Sequence, residues 1–257
     1  MSTKTIISAL LVMAGAFLNT SDQVFSQSSG NVKSVALIST LLGKIVQSPI
    51  PLLDAGPFNK KTNSIAPLII EEEVKSIDGI REAIATSIKN HLNCEVVYGN
   101  TLVAKPEYAE VIKKFNYPDG LRIDDENFPK IIIPKDEANL FRFTDGKKVA
   151  NFLKDAENTQ NTASEICKLL GTDFVAVSYS SMMVKSYGWF GGHADLCMSS
   201  FIYFYDREGK LAGYGTNISK TVSAVGDDVM DYRTVLNALP DILDKMMVKA
   251  TKKMTAK

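Results

Sequence analysis

The segment Tyr187–His193 and the residues that follow it are the part of the sequence best suited to chemistry. The segment reads Tyr-Gly-Trp-Phe-Gly-Gly-His, and Ala194 and Asp195 come next. In an extended strand His193 and Asp195 would project to the same side, because alternate residues share a face. A carboxylate beside an imidazole can orient the ring as a general base. The sequence therefore admits a catalytic pair at this position.

A nucleophile for such a pair would have to come from elsewhere in the chain. Ser178, Ser180 and Ser181 stand on the preceding predicted strand, but they lie outside any glycine-flanked nucleophile elbow. We therefore assign no catalytic residue, and a secreted hydrolase that uses His193 and Asp195 remains an alternative.

The same segment also has the character of a binding loop. It contains the only tryptophan of the chain, two further aromatic residues and three glycines, which permit sharp turns or close approach of a ligand. Tryptophan and tyrosine are common hot-spot residues in interfaces, and loops often carry function. A hairpin tip with a purely structural role is the competing interpretation. The candidate binding residues are Tyr187, Trp189, Phe190, His193 and Asp195.

Residues that would hold a metal or cofactor are sparse. His91 and Cys94 are too few ligands for a metal site, and there is no C-x-x-C spacing or phosphate-binding glycine motif. The acidic runs Glu71–Glu73 and Asp124–Glu126 are predicted to be solvated, the first near a helix N-terminus. The cysteines are predicted to be buried small apolar side chains: Cys94, Cys167 and Cys197. We expect no metal and no cofactor.

The N-terminal residues predict export. Lys4 precedes the apolar run Ile6–Phe17, and Val24–Ser26 supplies small residues for cleavage, so residues 1–26 read as a signal peptide. The run is shorter than the roughly 20 residues of a membrane-spanning helix. No cysteine follows it for lipidation. We expect a bacterial protein of the periplasm or outer-membrane periphery, without an integral membrane span in the mature chain.

Composition limits the possible functions. The chain has 257 residues, with 29 basic and 29 acidic side chains and a formal charge of zero. Nucleic-acid binders usually carry a basic excess, so we expect no nucleic-acid partner. The length is sufficient for a single domain with its own hydrophobic core.

Hydrophobic periodicity predicts one α/β (α+β) domain over residues 27–249. We expect a mixed sheet with a βαβ start, antiparallel hairpins in the C-terminal third and helices packed on the sheet. An irregular insertion lies near residues 105–145, and residues 250–257 form a basic tail that we expect to fray.

The individual elements follow from apolar patterns and from proline and glycine positions. A proline-rich loop covers Pro49–Pro67, and Tyr117–Lys130 is a second loop. Gly171 is expected to cap a helix, Gly209 to form a hairpin turn, and Pro240 to bend or restart the last helix. The predicted strands are Val32–Leu42, Cys94–Tyr98, Ile131–Ile133, Asp173–Lys185, Ala194–Asp206 and Leu211–Val222. The predicted helices are Ser76–Leu92, Tyr108–Phe115, Asp145–Asp155, Thr159–Leu170 and Asp231–Lys249.

Two short segments carry a family resemblance. Leu169–Val177 reads Leu-Leu-Gly-Thr-Asp-Phe-Val-Ala-Val at a helix-to-strand junction, and Asp206–Lys210 is an Asp-x-x-Gly turn. This order of elements, over Val32–Val248, resembles exported bacterial proteins related to the curli-assembly component CsgG, the N-terminal domain of TolB and the lipoprotein activators of penicillin-binding proteins. The resemblance implies an α/β envelope domain that binds other envelope components. Pore formation is not implied, because the lipidation cysteine is absent and Lys105–Asp145 exceeds the simple pattern.

We favour a non-enzymatic exported envelope protein that binds or assembles with other envelope proteins. The contact would use the aromatic loop or a sheet edge. Ser199–Tyr205 is strongly β-forming, and at an edge it would favour strand addition or a homo-oligomer. A third hypothesis places the segment Lys249–Lys257 against lipid, although its four lysines are too few for stable anchoring.

Overall fold

The computed structural model describes residues 32–43, 56–115, 131–132, 134, 136–137, 156–188 and 192–255. The predicted signal peptide, the loop Tyr117–Lys130 with its acidic run, and the helix Asp145–Asp155 lie outside the described residues.

Within these ranges the chain alternates between strands and helices. The strands are β1 (Ser34–Gly43), β2 (Glu95–Val97), β3 (Ile131–Ile132), β4 (Phe174–Tyr187), β5 (Ala194–Asp206), β6 (Leu211–Ile218) and β7 (Val222–Ala224). The helices are α1 (Gly56–Ser64), α2 (Ala66–Leu92), α3 (Gly99–Val103), α4 (Pro106–Phe115), α5 (Ala156–Leu170), α6 (Val229–Asn237) and α7 (Pro240–Thr255).

All the strands belong to one mixed sheet with the order β2-β1-β4-β5-β6. β1 lies parallel to both β2 and β4, with α2 in the crossover to β2. β4, β5 and β6 are joined as antiparallel hairpins, while β3 pairs with the end of β1 and β7 with the start of β5. The predicted α/β fold, with its βαβ start and C-terminal hairpins, is confirmed.

Helices cover both faces of the sheet. On the first face, called here the α7 face, α2, α6 and α7 pack over strand residues such as Leu37, Met182 and Phe204. On the second face, called the α5 face, α3, α4 and α5 pack over residues such as Val177 and Tyr203. Among the helices that the structure describes, none is both long and apolar enough to cross a membrane.

The start of α2 differs from the sequence prediction. Part of the predicted loop Pro49–Pro67 is helix α1, and α2 begins at Ala66 rather than at Ser76. Pro67 is tolerated because the first helical turn has no intrahelical partner for its N–H group. Two of the glutamates predicted to be solvated are buried: Glu73 is 0% exposed, and Glu72 accepts a hydrogen bond from Arg233 Nε at 2.7 Å.

The hairpin region corrects two further predictions. The predicted strand Leu211–Val222 is divided into β6 and β7, which both pair with β5. The segment Ser199–Tyr205 lies inside the sheet between β4 and β6, so it is not an edge. The edge on this side of the described sheet is β6.

The C-terminal helix continues beyond the predicted point of fraying. Pro240 separates α6 from α7, as expected, but α7 then runs to Thr255 and buries Ala250. Two glycines of β6 allow this close packing. A Cβ atom at Gly215 would lie 2.0 Å from Met246 O, and one at Gly213 would lie 2.6 Å from Ala250 O. The helix therefore rests almost directly on the strand backbone.

The two segments that carry the family resemblance are Leu169–Val177 and Asp206–Lys210. They connect β1, α5 and the β5–β6 hairpin. Gly171 takes φ +67° at the end of α5, as a helix-capping glycine does. Asp173 Oδ2 accepts the N–H groups of Lys33 and Ser34 at 2.8 and 3.1 Å, and its other oxygen pairs with Arg207 at 2.9 Å. Gly209 takes φ +76° in the predicted turn.

Candidate binding site

The candidate loop lies at the tip of the β4–β5 hairpin. The two strands pair continuously from Phe174 opposite Asp206 to Tyr187 opposite Ala194, with one register shift between Val184 and Ser186. This long ladder places three candidate residues together at one end of the sheet: Tyr187, His193 and Asp195. The candidates Trp189 and Phe190 lie outside the described residues.

Tyr187 anchors the hairpin to the body of the protein. Its ring packs edge-on against Phe58 of α1, with 6.0 Å between ring centroids and an interplanar angle of 67°. The hydroxyl is buried and has no hydrogen-bond partner among the described residues. The packing of Tyr187 on Phe58 thus fixes where the tip begins.

The backbone of Gly188 closes the tip. Its N–H group donates to His193 O at 2.9 Å. The imidazole of His193 lies directly over this glycine, since a Cβ atom at Gly188 would come within 1.9 Å of His193 Cε1. His193 is nevertheless exposed to solvent. The glycine therefore allows a polar, exposed ring to lie flat against the tip.

Asp195 contacts a serine rather than the histidine. Its Oδ2 accepts a hydrogen bond from Ser186 Oγ at 2.6 Å, across the β4–β5 ladder. No hydrogen bond or ion pair joins Asp195 to His193 in the described part of the chain. The proposed Asp-oriented base is therefore not assembled in this arrangement.

The candidate nucleophiles are enclosed in the sheet. Ser178, Ser180 and Ser181 are each 1% exposed. Ser180 Oγ is 2.8 Å from Ser200 Oγ, so these two hydroxyls satisfy each other. A substrate would have no access to these serine hydroxyls without opening the core. The arrangement favours binding over nucleophilic catalysis.

A buried polar cluster of Arg81, Asp136 and Glu137 lies beside β1. It was not predicted from the sequence. Glu137 has a fully buried side chain whose Oε2 accepts the Thr40 N–H at 2.7 Å and whose Oε1 lies 3.8 Å from Arg81 Nη1. Arg81 also pairs with Asp136 and, at 3.3 Å, with Asp78. Burial raises the pKa of Glu137 to about 8. These contacts join residues far apart in the chain, so no local sequence pattern predicts them.

His91 has a structural role in the last turn of α2. Its Nδ1 lies 2.9 Å from Ser87 O, and its Nε2 lies 3.1 Å from Asp244 Oδ1 of α7. The ring therefore ties the end of α2 to the start of α7. Within the described ranges no three His, Cys, Asp or Glu side chains are grouped as a metal site would require.

The three cysteines are buried, as predicted, and all three are free thiols. Burial raises the pKa of Cys94 to about 11 and that of Cys167 to about 12, and it raises the pKa of Cys197 as well. Thiols of this kind pack as small apolar groups.

No protein-family model matches the chain, and no curated protein matches it. Among solved structures, a PelC dodecamer from Paraburkholderia phytofirmans aligns with 91% of this chain and 96% of its own chain, at 8% identity and a TM-score of 0.31. Because the TM-score is so low, this likeness carries no argument about fold or function.

Proposed function

We propose that this is a non-enzymatic exported envelope protein that docks onto another envelope protein through the tip of the β4–β5 hairpin. One observation carries the proposal. Tyr187 and Gly188, which begin the aromatic sequence Tyr187–Phe190, lie at the end of two long paired strands and are fixed by the Tyr187–Phe58 packing and the Gly188–His193 hydrogen bond. A loop fixed at both ends loses less conformational entropy on binding.

The contacts of the polar residues support docking over catalysis. The carboxylate of Asp195 is engaged by Ser186, and the nearby strand serines are buried. His193, which follows the aromatic residues closely in the sequence, remains exposed. An exposed imidazole that follows tryptophan and phenylalanine in the sequence suits the polar rim of a small protein interface.

The proposed location rests on the sequence. The signal-peptide pattern of residues 1–26 and the resemblance to CsgG- and TolB-related proteins both support export to a bacterial periplasm or outer-membrane periphery. The mature protein should begin at Gln27. N-terminal sequencing of protein from the envelope fraction tests this, and an intact Met1 terminus on cytoplasmic protein would reject it.

Affinity capture from detergent-solubilised envelope tests the docking role, with residues 27–257 as bait. Trp189→Ala removes the central aromatic side chain of the tip. Glu208→Ala is the matched control, because Glu208 is exposed in the turn of the neighbouring β5–β6 hairpin. We expect one discrete protein to be retained by the unchanged bait and by Glu208→Ala, and to be lost with Trp189→Ala.

Two outcomes would reject the docking role. One is equal capture by all three baits, which would place the contact elsewhere. The other is covalent labelling by a serine-reactive fluorophosphonate that His193→Ala abolishes. That second result would favour the secreted hydrolase with His193 and Asp195 instead.

A further inference from the structure

The outer edge of β6 directs backbone groups away from the other described strands. β6 is the last strand of the described sheet on this side, and no described strand pairs with its outer edge. The Ser219 N–H donates inward to Met198 O at 2.8 Å. Because backbone groups alternate between the two edges of a strand, the N–H and C=O groups of Tyr214, Thr216 and Ile218 point outward.

Lysines of α7 lie along this edge. Lys249 Nζ donates to Thr216 O at 2.8 Å, which confirms that this carbonyl faces away from β5. Lys253 Nζ stands 2.9 Å from the centroid of the Tyr214 ring. Four residues back along α7 from Lys249, Lys245 occupies the next position of the same row, toward Ile218. We call these three lysines the lysine row.

The lysine row carries uncompensated charge. In the described part of the chain none of its three members forms an ion pair with a carboxylate, whereas Lys61, Lys75 and Lys114 all do. The hydrogen bond from Lys249 to Thr216 is solvent-exposed, so exchanging it for another partner costs little. An anionic partner would therefore find both positive charge and outward-pointing backbone groups here.

The spacing of the lysine row matches a partner in an extended strand conformation. Residues four apart on a helix are separated by about 6.0 Å along its axis, and alternate residues of a strand by about 6.6–6.8 Å. The contacts show this match within the protein itself, since Lys249 meets Thr216 and Lys253 meets Tyr214. A strand added beside β6 would likewise bring every second side chain opposite a lysine.

We propose that the β6 edge and the lysine row form a strand-addition site for an extended acidic segment of a partner protein, with Asp or Glu at every second position. The added strand would take its backbone hydrogen bonds from Tyr214, Thr216 and Ile218. Ile218, whose side chain is exposed, would supply an apolar contact at the end of the site. Pairing with β6 of a second copy is disfavoured, because it would bring two lysine rows together.

This site is separate from the hairpin tip and does not depend on the docking role proposed above. Two synthetic peptides of identical composition test it with residues 27–257. One alternates threonine and glutamate, and the other has its glutamates in one block. We expect the alternating peptide to bind roughly tenfold more tightly, to weaken with added salt, and to protect the amides of Thr216 and Ile218 from hydrogen exchange.

Variants separate the backbone and charge contributions. Thr216→Pro removes an outward N–H group without removing a bond to β5, so it should abolish binding. Lys249→Glu should weaken binding at least roughly tenfold, while Lys168→Glu, an equal charge change on α5, should leave it unchanged. Far-UV circular dichroism confirms that each variant is folded.

Three results would overturn the proposal. They are equal affinity for the two peptides, no binding at about 1 mM peptide, and equal effects of Lys249→Glu and Lys168→Glu. The last would reduce the interaction to general charge attraction.

Discussion

The carboxyl group of Glu137 fills a gap in the sheet beside Thr40. β2 pairs with β1 at Ser34–Ala36, and β3 pairs with it at Leu42–Gly43, so no described strand accompanies the stretch between them on that side. There the Thr40 N–H donates to Glu137 Oε2 at 2.7 Å. A side chain thus takes the place of a strand carbonyl. This satisfies a backbone N–H that would otherwise be buried without a partner.

This arrangement predicts a pH-dependent stability. Burial raises the pKa of Glu137 from its ordinary 4.5 to about 8, although the Thr40 N–H and Arg81 act in the opposite direction. The folded protein therefore keeps a proton that the unfolded chain releases. The stabilisation is complete below pH 4.5 and is lost as the pH rises through about 8. Glu137→Gln cannot ionise and retains an oxygen for Thr40, so its free energy of unfolding should depend less on pH.

Urea unfolding at several pH values between 5 and 9 measures this difference. Glu137→Gln should gain stability over the unchanged protein as the pH increases, by a few kcal/mol at most. Asp136→Asn serves as the control, since it removes the neighbouring carboxylate and leaves Glu137 in place. Parallel pH profiles for Glu137→Gln and the unchanged protein would show that Glu137 does not hold the extra proton.

The close packing of α7 on the glycines of β6 predicts that a larger side chain at these positions destabilises the protein. A Cβ atom at Gly215 would lie 2.0 Å from the carbonyl oxygen of Met246, which is backbone and cannot rotate away. Gly215→Ala should therefore destabilise the protein by about 3 kcal/mol, the upper end of the usual cost of overpacking. At Gly192 a Cβ atom meets no atom of the described residues within 4 Å, so Gly192→Ala should be close to neutral. Thermal unfolding compares the two, and a small effect at both sites would show that α7 moves freely on β6.

Local patterns were sufficient to predict most of the strands and the hairpin turn. The bounds of β5 agree with the predicted Ala194–Asp206, because a β-branched and aromatic run ends at an Asp-x-x-Gly turn. The break at Pro240 and the cap at Gly171 were also predictable from the backbone limits of these two residue types.

Contacts between distant residues could not be read from the sequence. The acidic run Glu71–Glu73 predicts a solvated Glu72. In the structure Arg233, on α6, pairs with Glu72 and allows its burial. The helical extension beyond Lys249 depends on Gly213 and Gly215, whose missing side chains make room for α7. In the candidate site, alternation placed His193 and Asp195 on one side, whereas the actual partner of Asp195 is Ser186 across the ladder.

The buried cysteines predict low thiol reactivity. Burial raises the pKa of Cys94 to about 11 and that of Cys167 to about 12, so almost no thiolate is present at pH 8. A disulfide reagent with a coloured product should therefore react with no thiol in the folded protein and with all three after unfolding in urea. A thiol that reacts rapidly in the folded protein would show an opening of the core. Fewer than three thiols in urea would indicate a disulfide.

Asp173 should be the residue of the Leu169–Val177 segment that stabilises the fold through polar contacts. It accepts the N–H groups of Lys33 and Ser34 at the start of β1 and also pairs with Arg207. Asp173→Ala removes all three contacts and should cost about 2 kcal/mol, since hydrogen bonds to charged groups are the stronger class but this side chain is partly exposed. Asp173→Asn keeps one acceptor oxygen and should cost less.

A double-mutant cycle with Arg207→Gln separates the contributions of Asp173. Arg207 is more than half exposed, so its coupling to Asp173 should stay below about 1 kcal/mol. Most of the loss on Asp173→Ala would then come from the two backbone N–H groups of β1. Chemical unfolding of the two single variants and the double variant measures the coupling. A coupling equal to the whole loss would mean that the ion pair, and not the start of β1, is what this aspartate stabilises.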